Sequence, residues 1–266
     1  MAKQQQTKPA TKNVPAVSKR GQSSMVVVTD QVPDYIRQDS QRGSENVGMA
    51  DLVIPRLEIV QGLSPAVKRG DPGFIQGAAP GMLNNSVTRQ LYGENVVLVP
   101  LHYSVQYLVW RDRKHGGGNE GGFFGAYPTM DEARVRVAEE GGEAKGIMVV
   151  DTPQHLCLLI NPDTWAAEEI MLSMPRTKAK ISRQWNTMIR LAGGDRFGRV
   201  YKVSTIFEKN AKGDFYNFHI EQVGFPTAEL YARAEALYKK IAAGERRVVM
   251  DTSGLDTGAP AGDEEF

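Results

Sequence analysis

Apolar residues form no regular pattern over the first 47 positions. Met1 to Val47 is rich in Gln, Ser, Lys and Pro, and its apolar patch, Met25 to Val28, is too short to offset the entropy of ordering the segment. A disordered arm is expected there. LVIPRLEIVQ (52–61) is broken by Pro55, and the Gly/Pro/Asn-rich span from Ser64 to Ser86 predicts only short extended pieces. ENVVLVPLHYSVQYLVW (94–110) is β-branched and aromatic, with Tyr103, Val105 and Tyr107 at period two and a break at Pro100. It predicts one long bent strand or two. In RDRKHGGGNEGGFFGAY (111–127) the glycines at 116–118, 121 and 122 predict a flexible loop.

Thr129 then caps MDEARVRVAEEGG, with acids in the first turn and glycines at the end, so a short helix is expected. Strands are predicted at 146–150, 155–161 and 166–173, the last two joined through Asn161-Pro162-Asp163. PRTKAKISRQWNTMIRLAGG (175–194) places Ile181, Trp185, Met188, Ile189 and Ala192 on one helical stripe and stops at Gly193. Lys180, Arg183 and Arg190 fall away from that stripe. Segments 197–210 and 214–225 flank Ala211-Lys212-Gly213 and read as a β-hairpin. Thr227 caps a last helix with Leu230, Ala234, Leu237, Tyr238 and Ile241 on its apolar side, ending at Gly244. From Asp251 the chain is Gly, Pro and acid, so a disordered tail is expected. The fold class is α+β: an arm (1–47), an antiparallel β-rich body with two or three helices (48–250), and a tail (251–266).

Composition removes several classes of function. With 266 residues and 41% apolar content, the chain has no run near the roughly 18 uninterrupted apolar residues of a membrane span, and its N-terminus is too polar for a signal peptide. A cytoplasmic protein without a membrane partner is expected. A single cysteine, Cys157, excludes an intramolecular disulfide and a cysteine-based zinc cluster. The net charge of +1 conceals opposite blocks. Residues 1–25 carry five cations and no acid; 171–212 carry ten cations against Asp195 and Glu208; 251–266 carry five acids and no cation.

Catalytic patterns are sparse. His102, His115, His155 and His219 are scattered, His155 and Cys157 lack a nearby carboxylate, and no glycine run leads into Gly-Lys-Ser/Thr. The acids crowd into 129–143 and the tail, where solvated faces explain them. No catalytic residue, cofactor or metal is assigned, and a non-enzyme is expected.

Cations interleaved with aromatics stand out. Single-stranded nucleic acid needs charges that follow the phosphates and flat side chains on which bases stack. One such region is Trp110, Arg111 and Arg113 leading into Phe123 and Phe124. The other contains Arg176, Lys178, Lys180, Arg183, Arg190, Arg199, Tyr201 and Lys202. Trp185 sits on the apolar stripe and reads as core. The spacing of Tyr103 and Tyr107 fits a core face and a stacking row equally well.

The acidic end, Asp263-Glu264-Glu265-Phe266, resembles the tail of single-stranded DNA-binding proteins of bacteria and tailed phages. The body is similar to a group of phage-encoded proteins with that role, in DLVIPRLEIVQGLSPAVKRGDPG, YLVW followed by FFG, ISRQWNTMI and FEKNAKGDFYNF. The resemblance implies an oligonucleotide-binding (OB) type barrel with added helices. It also implies sequence-independent protection of single-stranded DNA in phage-type replication or recombination, with partner proteins recruited by Asp263, Glu264, Glu265 and Phe266, and possible homo-oligomers. A phage structural or assembly protein and a strand-annealing recombination protein are the alternatives, with a nuclease last.

Overall fold

The computed structural model describes residues 36, 42–48, 51–111, 122–161, 166–210, 213–246 and 248–252. The chain divides into two units, Met1–Asn46 and Val47–Phe266. In the first, the Gly43 N–H donates to the Glu45 carboxylate at 2.9 Å. Everything below concerns the second.

Three short strands, β1 (Leu57–Ile59), β2 (Leu83–Asn85) and β3 (Leu91–Gly93), form a small antiparallel sheet. β2 is a short extended piece of the kind expected within Ser64–Ser86, whereas β1 lies in the segment broken by Pro55 and β3 lies beyond that span. The main sheet is built on β4 (Asn95–Arg111), a single strand of 17 residues. It continues through Pro100 because the pairing shifts by a bulge between Pro100 and His102. β5 (Gly122–Tyr127) pairs with the far end of β4. This corrects the expectation of a loop throughout 111–127: Phe123 and Tyr127 pair with Trp110 and Tyr107 of β4, and the Phe124 ring meets Arg111, which the flanking glycines do not prevent, while 112–121 lies outside the described residues.

β6 (Ile147–Ile160) follows α1 (Met130–Glu139) and joins what the sequence divides into two strands. Its Pro153 carbonyl accepts from the Met174 N–H at 2.8 Å. The missing Pro153 N–H therefore faces the same side, beyond the end of β7 (Ala167–Ser173), and no bond to β4 is lost. α2 (Lys178–Ala192) comes next, then the hairpin of β8 (Val200–Asn210) and β9 (Gly213–Gly224), and finally α3 (Ala228–Ala242). Thr129 and Thr227 accept from the Glu132 and Leu230 amides and cap α1 and α3; Gly193 ends α2 at a φ of 69°.

The main sheet runs β7-β6-β4-β8-β9, with β5 beside β4. It is open among the described residues, so the expected closed barrel is not formed by strand pairing: β7 and β9 do not pair with each other. The small sheet reaches both edges, through a bridge from Arg56 to Met171 on β7 and through the Gln61 side chain to Tyr216 on β9. Leu57, Ile59 and Leu83 of the small sheet pack with Leu98, Cys157, Leu172, Tyr201, Val203 and Phe218, and with Trp185 and Ile189 of α2. The opposite face, with Leu101, Leu108, Leu156, Leu158 and Met171, is covered by α3 through Ala234, Leu230, Leu237 and Ile241. α1 packs through Ala133 on Val109 and Ile147, where β4, β5 and β6 run together. No helix of the described residues is long and apolar enough to cross a membrane.

Candidate nucleic-acid interface

α2 buries Ser182, Trp185 and Ile189 and leaves Met188 and Ala192 exposed, so its inner face is rotated from the stripe that hydrophobicity predicts. A hydrogen bond explains the rotation: His155 on β6 meets the Ser182 hydroxyl at 2.7 Å and draws that serine into the core. Lys180, Arg183 and Arg190 point to solvent. Among the described residues none of the three has a carboxylate within ion-pair distance. Arg176, exposed and at a φ of 52°, precedes the helix; Lys178 is half-buried, its Nζ 5.8 Å from the Phe218 ring centroid.

Arg199 and Lys202 are also engaged. Arg199 donates to the Ala192 and Gly193 carbonyls at 2.6 and 2.7 Å, capping the end of α2 where the helix dipole favours positive charge. Its guanidinium also lies 5.8 Å from the centroid of the exposed Phe225 ring. Lys202 lies 3.4 Å from Glu221 across the hairpin. Tyr201 is wholly buried, edge-on to Trp185 at 5.5 Å between centroids, and offers no ring face to a base. Trp185 is wholly buried too, as its place on the stripe implies.

Arg196, which sequence reading counts only as one charge among ten, sits at the centre of this face. One Nη donates to His155 Nδ1 at 2.6 Å and the other to Asn186 Oδ1 at 2.9 Å. Its guanidinium lies 5.5 Å from the Tyr103 ring centroid and 5.8 Å from that of Trp185, within cation–π range. His155 stacks on Trp185 at 4.6 Å and meets Tyr103 in a T-shaped contact at 5.1 Å. Because Nδ1 accepts from Arg196, the proton sits on Nε2 and goes to Ser182. Burial, and secondarily the Arg196 charge, hold His155 neutral by pushing its pKa well below the ordinary value. Burial likewise raises the Cys157 thiol, so it stays protonated. No acid neutralises Arg196 among the described residues, an unusual state for a largely buried cation.

The aromatic region separates onto the two faces of the sheet. Tyr103, Val105, Tyr107, Val109 and Arg111 pair with His155, Pro153, Asp151, Val149 and Ile147 and share the α1/α2 face. There the Arg111 guanidinium lies 5.2 Å and that of Arg136 5.9 Å from the Phe124 ring. Trp110 and Phe123 sit on the opposite face, 5.1 Å apart, against the α3-side core. Arg113, Asp263, Glu264, Glu265 and Phe266 lie outside the described residues. The structure thus brings Arg111, Phe124, Tyr103 and Arg196 to one face and sets Trp110 and Phe123 apart from them.

No curated protein and no solved structure shows a significant match to the chain. The model of one protein family, described as Pam3 phage gp34-like protein, matches residues 22–247, most of the sequence. The chain belongs to the Pam3 phage gp34-like protein family.

Proposed function

We propose that this protein is a non-catalytic, sequence-independent binder of single-stranded DNA serving phage replication or recombination. The observation that carries the reading is the outer face of α2: Lys180, Arg183 and Arg190 stand exposed on one helix with no carboxylate neighbour among the described residues. Such a face attracts a polyanion, and the aromatic row beside it supplies the flat surfaces that unpaired bases require.

The topology supports the same reading. β4, β6, β7, β8 and β9 are five long antiparallel strands, with α2 between the third and fourth, and we take them as an OB-type barrel left open between β7 and β9. OB barrels are often only partly closed, and they bind nucleic acid with the second and third strands and with two connections, first-to-second and fourth-to-fifth. Here α3 covers one face of β6 and β7, and we take the long connection between β4 and β6 as a contributor beside α2. Trp110 and Arg111 stand where it leaves β4, and Phe123 and Phe124 lie within it on β5. We assign Asp263–Phe266 the recruitment of partner proteins, on the strength of the five acids in the last 16 residues.

The test is to replace Lys180, Arg183 and Arg190 together by Ala and measure single-strand affinity across a salt series. Each lost phosphate contact lowers the logarithmic salt slope by about 0.7. The expected result is a shallower slope and weaker binding. Wild-type affinity with a wild-type slope would remove α2 from the interface.

A further inference from the structure

We infer that Tyr103 and Arg196 form a nucleotide-binding slot, in which a base stacks on the open side of the Tyr103 ring and a phosphate is held by the Arg196 guanidinium. The inference rests on the single-strand reading above and names where the strand is gripped.

Arg196 has five N–H donors, and two are spent on His155 and Asn186. One N–H remains on each Nη, while Nε is buried without an acceptor. The guanidinium therefore keeps unspent N–H donors and a positive charge that no carboxylate among the described residues neutralises. Leaving such groups unanswered costs free energy. An oxyanion supplies both missing properties at once.

The second component is Tyr103. Arg196 and His155 hold its ring from within the protein, yet 37% of its surface remains exposed. A ring fixed in advance loses little conformational entropy when a base stacks on it. On the same face Tyr107 lies four residues on, about 13 Å along the strand. Arg111, whose Nε is also buried and unpartnered, lies next to Phe124 beyond it. The row gives a strand leaving the slot further aromatic and cationic contacts in a fixed direction.

The chemical class is a nucleotide within a single strand. In a duplex the base faces are already stacked on one another, so a base must leave its neighbours to reach the Tyr103 ring.

The experiment compares wild type, Tyr103→Ala, Tyr103→Phe and Arg196→Gln for binding to fluorescein-labelled oligo(dT), and irradiates complexes with 5-iododeoxyuridine-substituted oligo(dT) for mapping. Tyr103→Ala is expected to weaken binding at least about fivefold, as loss of one stacked base does, while Tyr103→Phe keeps wild-type affinity. Arg196→Gln is expected to lower the salt slope by about one phosphate contact, and crosslinks are expected at Tyr103. Because Arg196 touches the core, Tyr103→Ala and the crosslink map decide the matter if Arg196→Gln fails to fold. Wild-type binding by Tyr103→Ala with crosslinks elsewhere overturns the slot while leaving the single-strand reading standing. Failure of the wild-type protein to bind oligo(dT) overturns both.

Discussion

The side-chain amide of Gln61 holds both backbone polar groups of Tyr216: Nε2 donates to the carbonyl at 2.8 Å, and Oε1 accepts from the N–H at 2.8 Å. β9 is the last strand of its sheet, and these groups point away from β8, so Gln61 stands where a neighbouring strand would otherwise pair. Two residues on, the Phe218 N–H is occupied by the Asn217 side chain at 3.0 Å. An open edge is a template for pairing with another chain, and here two side chains block it.

Replacing Gln61 by Leu keeps the bulk of the side chain and abolishes both bonds. The expected cost is about 1–3 kcal/mol from the unsatisfied groups, with association through the freed edge. Urea unfolding and light scattering measure the two effects. A variant as stable and as monodisperse as wild type would show that the edge does not need this cap.

Tyr201 and Arg199 separate packing from binding. Tyr201→Phe removes a buried hydroxyl that has no partner, so stability should hold or rise and oligonucleotide affinity should not change. Arg199→Ala removes two charge-assisted bonds to the end of α2 and should lower stability by about 1–2 kcal/mol. Thermal melts together with binding titrations on both variants check this assignment.

His155 makes stability depend on pH. Its folded pKa is depressed and the unfolded imidazole titrates near about 6.5, so the unfolded chain binds the extra proton as the solution is acidified. The contribution is fully present above that value and is lost as pH falls toward the folded pKa. The expected slope reaches about 1.4 kcal/mol per pH unit below pH 6.5. His102, half-buried, is shifted in the same direction by burial and Arg196 and adds a smaller effect. Urea midpoints between pH 7.5 and 5 should fall for wild type and change less for His155→Gln. Equal slopes would place the titration elsewhere.

Local signals made much of this fold legible. The spacing of Trp185 and Ile189, the Thr129 and Thr227 caps and the Gly-containing connection after Asn210 depend on neighbours in sequence, and α2, α1, α3 and the β8–β9 hairpin follow from them. β5 was hidden because glycine-rich composition argues against a strand, whereas pairing with β4 decides the outcome. The small sheet's reach to β7 and β9 depends on contacts such as that between Gln61 and Tyr216, 155 residues apart. Arg196 was missed for the same reason: its surroundings come from β4, β6 and α2. The available hint was its position just after the glycine stop of α2 and before the apolar Phe197, where the chain turns back toward the core.

The central claim is single-strand recognition, and the most direct measurement is fluorescence anisotropy of the wild-type protein with labelled single-stranded and duplex oligonucleotides of equal length across a salt series. The account predicts markedly tighter binding of the single strand, weakening steeply as salt rises. Equal affinity for the two forms, or no binding to either, would contradict it.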